Sequence, residues 1–264
     1  MFRINFKLKK PAEITPWGEL QPTLHWFGLT DSLLWIDISN SVIYEYTEAY
    51  TDECGNSVKY NEYQLSRFLE DFSEILPSVS RSVPKLFYDA IENFEKDTKK
   101  WESLYIDEDD ETFENFYEEG YEPLTSWFYM RCIDSGHLVQ GPQIGFFRCD
   151  DNIKIWWDSE NYNQHSIWRF PSGCFEIVYS EFVSEVERFF SSFYKEMDKQ
   201  VEEITQNGIP GVYVDNDALI QENKLRKDGF YQKVASLKNM KKELIDWKDI
   251  MILYDRMRAE LYKR

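Results

Sequence analysis

Between residues 180 and 207, apolar side chains recur at Phe182, Val186, Phe189, Phe193, Met197, Val201 and Ile204, in steps of three and four. That spacing places all seven on one face of an α-helix. Asn207-Gly208 supplies a stop. A helical stripe this long must be covered by other elements, because helices draw most of their stability from packing.

The rest of the chain offers both strands and helices as cover. Phe2, Ile4, Phe6 and Leu8 alternate with Arg3, Asn5, Lys7 and Lys9, which predicts a half-buried strand. Residues 33–38 and 42–46 read as two strands around Ser39-Asn40-Ser41. Cys54-Gly55-Asn56 reads as a further turn. Leu65, Phe68, Leu69, Phe72, Ile75 and Leu76 form a helical face that Pro77 is expected to end. Leu86, Phe87, Ala90, Ile91 and Phe94 form another after Pro84.

A short helix is expected within 112–119. Residues 127–133 read as a strand, 143–149 and 152–157 as a hairpin around Asp150-Asp151, and 175–179 as a further strand. Asp215 or Asn216 caps a helix reaching about residue 239. A last helix carries Leu244, Trp247, Met251, Tyr254, Met257 and Leu261. This order predicts an α+β fold, an antiparallel sheet packed against several helices, with a helical C-terminal region. The expected division is a core domain over 1–206 and a helical extension over 207–264, within one domain or two.

Charge is distributed unevenly. The net charge is −18. Residues 195–264 carry 14 Lys and Arg against 13 Asp and Glu, and residues 1–194 carry 16 against 35. Between Lys100 and Arg131 there is no basic residue, and ten acids are interleaved with aromatics. Such a balance disfavours nucleic acid and anionic membrane as direct partners and favours basic proteins. The 17% aromatic content argues against disorder. No apolar run approaches the roughly 18 residues of a membrane span, and no secretory signal is visible after Met1. Four scattered cysteines without a C-x-x-C predict reduced thiols. A cytoplasmic location is the expectation.

Three segments carry a resemblance. The first is Ile14-Thr15-Pro16-Trp17-Gly18 with Leu24-His25-Trp26-Phe27-Gly28-Leu29-Thr30-Asp31. The second runs from Phe146-Phe147-Arg148-Cys149-Asp150-Asp151 to Ile155-Trp156-Trp157-Asp158. The third is the 181–201 helix with Phe182, Val186, Phe189 and Met197. Together they resemble an uncharacterised bacterial family with no assigned function. The chain departs from that pattern at Ser32-Leu33-Leu34, where a Gly and further aromatics are usual. The resemblance implies a bacterial, cytoplasmic protein and supplies no catalytic residues. Being acidic and motif-poor, the chain also looks like the immunity proteins that accompany bacterial toxins, by analogy alone.

The expected partner-binding residues are Asp107, Glu108, Asp109, Asp110, Glu111, Glu114, Phe116, Tyr117, Glu118, Glu119 and Tyr121. Carboxylates pair with Lys and Arg, and aromatics anchor interfaces. A solvated loop whose aromatics face the core is the competing reading. A calcium loop starting at Asp107 fails because Thr112 stands where the sharp turn needs Gly. His25, His137 and His165 have no metal-ligand spacing, and no nucleotide-binding motif occurs. No metal or cofactor is expected. Trp156, Trp157, Tyr162 and Trp168 suit either sugar or base stacking or a core. Asp31 is expected to cap a turn.

The expectation is thus a non-enzymatic, acidic binding protein. It is most concretely an immunity-type inhibitor that binds a basic toxin surface. The alternative is a nucleic-acid mimic that regulates a DNA-binding protein. An enzyme would instead gather polar groups in a deep pocket. The oligomeric state stays open.

Overall fold

The computed structural model describes residues 1–53, 58–159, 166–238 and 245–262. The elements run β1 (Phe2–Leu8), a 3-10 turn (Pro11–Glu13), α1 (Trp26–Leu29), β2 (Asp31–Ile38), β3 (Ser41–Ile43), α2 (Glu48–Glu53) and β4 (Asn61–Gln64). Next come α3 (Leu65–Val79), α4 (Lys85–Glu102), α5 (Asp110–Phe116), a π-helical turn (Tyr117–Tyr121) and α6 (Glu122–Tyr129). Then follow β5 (Cys132–Ile133), β6 (Gln143–Cys149), β7 (Asn152–Asp158), β8 (Ser172–Val178), α7 (Tyr179–Asn207), α8 (Asn216–Ser236) and α9 (Trp247–Tyr262). The fold is α+β with two antiparallel four-stranded sheets and a helical C-terminal region.

In the first sheet β2 is central. It pairs with β1 on one edge and with β3 and β4 in line on the other. Ile38 pairs with Ser41, so the hairpin turn is Ser39-Asn40, and Ser39 adopts φ +52° there. The outer edge of β1 is occupied at Ile4 by side chains from α7. Glu185 Oε1 accepts the Ile4 N–H at 2.7 Å, and the Arg188 guanidinium donates to the Ile4 carbonyl. A carboxylate and a guanidinium three residues apart on a helix thereby occupy the place of a fifth strand.

The second sheet, in the order β5-β6-β7-β8, is a middle layer. Alternation sends Phe146 to one face and Phe147 to the other, and both are fully buried. Ile144, Phe146, Ile153, Ile155 and Trp157 join a first core with the first sheet, α3, α7 and α8. Phe147, Cys149 and Trp156 join a second core with α4, α6 and α9. The apolar face of α7 lies wholly in the first core, as its spacing requires. Beyond residue 207 the chain serves both cores, α8 packing on α7, α3 and α1, and α9 on α4 and α6.

Several expectations are corrected. Residues 127–133 begin as the end of α6, and only Cys132–Ile133 pair as a strand. Phe116, Gly120, Leu124 and Phe128 continue a helical period into that run, and a short aromatic run cannot reveal its own period. Pro77 sits inside the last turn of α3, which still closes through Ser80 N–H to Leu76 O at 3.0 Å. Asp31 opens β2 and accepts from Lys9 Nζ at 3.0 Å, so it caps no turn. Thr30 does so instead, through Oγ1 to the Phe27 carbonyl. Cys54, Tyr162, His165 and Leu244 lie outside the described residues.

Candidate acidic binding face

The acidic segment is a helix laid on the second core. Asp109 caps α5, its Oδ1 accepting the Thr112 N–H at 3.1 Å and its Oδ2 the Thr112 hydroxyl at 2.9 Å. Those bonds hold the Asp109 carboxyl below its usual range. Asp110 and Glu111 fill the first turn, where the helix dipole favours negative charge. Phe116, Tyr117, Tyr121 and Glu122 all have right-handed helical backbone, so α5, the π-turn and α6 form one continuous helix.

The widening has a local cause. Pro123 brings no N–H, and its ring would crowd the Glu119 carbonyl in a regular helix. The Glu122 N–H bonds five residues back to Tyr117 O. Gly120 faces Trp101 across this turn, and a Cβ there would lie 3.2 Å from the indole.

The underside is apolar and pinned. Phe116 stacks on Tyr105 with centroids 3.9 Å apart and meets Trp101 edge-on at 4.8 Å. Glu260 of α9 accepts from Trp101 Nε1 at 2.6 Å and from the Tyr105 hydroxyl at 2.8 Å. Arg256 Nε donates to the same carboxylate at 2.9 Å. Burial by itself would raise the Glu260 carboxyl, but these three donors outweigh it and hold it below the usual range. No local sequence signal reveals this clamp, because its halves lie more than 150 positions apart.

The outer side is acidic and bare. Asp107, Glu108, Asp109, Asp110, Glu111, Glu114, Glu118, Glu119 and Glu122 are all exposed. Among the described residues none of these nine forms an ion pair, whereas acids elsewhere do, such as Asp198 with Lys227 and Glu70 with Arg226. Of the three expected aromatic anchors only Tyr117 is presented, at 41% exposure. Phe116 (3%) and Tyr121 (7%) belong to the core. The helical period turns them inward, and this corrects the expectation that they meet a partner.

The other candidates are packed side chains. Burial pushes the Cys132 thiol well up and Cys174 up to about 11. Cys149 is raised too, first by burial and then by Asp150. His25 lies edge-on to Trp17 at 4.2 Å. His137 lies against Tyr63 at 4.8 Å, and burial lowers its pKa. Trp156, Trp157 and Trp168 are buried. No described helix is long and apolar enough to cross a membrane.

Residues 3–252 match a family described as a family of unknown function, DUF5984, and the chain belongs to it. This agrees with the uncharacterised family expected from the three segments. No curated protein and no solved structure matches the chain.

Proposed function

We propose that this chain is a non-enzymatic binding protein whose acidic helical face docks a basic protein surface, in the manner of an immunity-type inhibitor that occludes a cognate bacterial toxin. The supporting observation is the group of nine exposed carboxylates, none ion-paired among the described residues, on a helix and the turn before it that rest on Trp101 and Tyr105, which Glu260 holds. Unpaired carboxylates attract a basic partner at long range and then pair with its Lys and Arg at contact. The clamp keeps their spacing in the free protein, so little ordering accompanies docking. Tyr117 adds the apolar contact that charge alone lacks.

Inhibition on this reading needs no chemistry by the protein. It needs coverage of the partner's working surface and a complex that weakens with salt. The test combines Asp110→Lys, Glu111→Lys and Glu114→Lys in the full chain, with helicity checked by circular dichroism. The neighbouring gene product serves as candidate toxin in a growth-rescue assay, and its affinity is measured at several salt concentrations. The wild type is expected to protect, and the variant to bind at least about a hundredfold more weakly with a flatter salt dependence. Equal protection, affinity and salt dependence for the folded variant would refute the reading.

A further inference from the structure

A second surface sits on the first core and is apolar. The loop from Trp17 to Thr23 is closed by reciprocal backbone bonds, Trp17 N–H to Thr23 O and Thr23 N–H to Trp17 O, both 2.8 Å. Gly18 makes the turn at φ +90°, a conformation that side-chain-bearing residues resist. The segment before α8 straps the loop down. Tyr213 N–H donates to Pro22 O at 2.8 Å, and Leu24 N–H to Tyr213 O at 3.0 Å. Beneath it, Trp26 Nε1 donates to Asn223 Oδ1 at 3.0 Å, and the Arg226 guanidinium lies 4.4 Å over the Trp26 and Phe27 rings.

This rigid base carries three large apolar side chains outward. Leu20 in the loop is fully exposed (103%), and Trp17 (48%) and Tyr213 (52%), whose backbones both bridge to Thr23, are exposed with it. Exposed apolar groups held together mark interaction sites, and Trp and Tyr carry much of the energy where they are buried by a partner. Their fixed base removes most of the ordering cost of binding.

We propose that Trp17, Leu20 and Tyr213 form a knob that inserts into an apolar socket with a basic rim on a partner protein. Charge selects that partner. Glu19 lies within the loop, and Asp215 and Asp217 follow Tyr213, all exposed. The two pieces of chain that build the knob, residues 17–24 and 211–217, contain no Lys or Arg. A second copy of the chain would bring the same acids against these, and an anionic lipid surface would repel them likewise. A socket ringed by Lys or Arg satisfies both the knob and its rim. The knob rests on other elements than the acidic helix, and the inference stands independently of that helix's role.

The test places a photoactivatable p-benzoylphenylalanine at position 20 of the full chain in host cells; this site is solvent-exposed, so folding is untouched. The crosslinked protein is identified, purified and titrated against wild type and variants. Leu20→Ser and Trp17→Ala are each expected to weaken binding at least about tenfold at an unchanged unfolding midpoint. Glu19→Lys is expected to weaken it and flatten its salt dependence. Four outcomes overturn the proposal. They are no adduct at position 20, an adduct with a second copy, equal binding by Leu20→Ser, and Leu20-dependent sedimentation with phosphatidylcholine vesicles.

Discussion

The acidic helix and α8 both lie on a core face and both carry acids outward, yet they treat them differently. The layer around α8 joins its elements through ion pairs, Arg226 to both Glu70 and Glu222, Lys227 to Asp198 and Lys233 to Glu74. Among the described residues the helix over 110–129 pairs none of its acids with a cation, and its aromatic packing is on the underside. In one layer, charge is part of how elements are joined. In the other, charge is separate from what holds the helix down. Acids that the fold does not use are the ones free for something else.

The sharpest way to break this contrast is from below. Phe116→Ala removes a buried ring from between Tyr105 and Trp101 and is expected to cost about 3–5 kcal/mol in chemical denaturation. A loss below about 1 kcal/mol would mean the acidic helix is not fixed by its underside. A smaller effect is expected at α8, where Asn223→Ala leaves the buried Trp26 N–H without its acceptor, at about 1–3 kcal/mol by the same measurement.

A pH titration sharpens the comparison further. The Glu260 carboxyl is depressed in the folded chain, so its contribution is present above its ordinary range near 4.5 and is lost as pH falls through the lower folded value. Denaturation from pH 6 to pH 3 should show the wild type losing this increment and Glu260→Gln lacking it throughout. Parallel curves would remove the clamp from the account. The smallest effect belongs to the bare face itself. Glu114→Gln and Glu118→Gln should each change stability by no more than about 0.5 kcal/mol, towards stabilisation as like-charge repulsion is relieved.

Much of this was readable beforehand. The period of α7 is long and regular, so its extent and buried face follow from spacing alone, as do the alternation of β1 and the β6–β7 hairpin. The expected end of α3 at Pro77 is two residues early, because one missing donor near a helix end is tolerated. The reading of 127–133 as a strand failed because Trp127 and Phe128 belong to a helix whose period starts at Phe116 and is shifted by a π-turn. Within the acidic face the charged positions were legible from composition. The inward turn of Phe116 and Tyr121 was not, since it depends on Trp101, Tyr105 and an α9 far along the chain.

Glu185 and Arg188 also bear on how the molecule keeps to itself. A strand with a bare outer edge is a template on which another chain can grow, by swapping or by fibre formation. Here the Ile4 amide and carbonyl are occupied by an arginine and a glutamate that never leave the same helix. At Ile4 the first sheet therefore ends where α7 says it ends, and a protein with 17% aromatic residues keeps those two backbone groups from recruiting a neighbour.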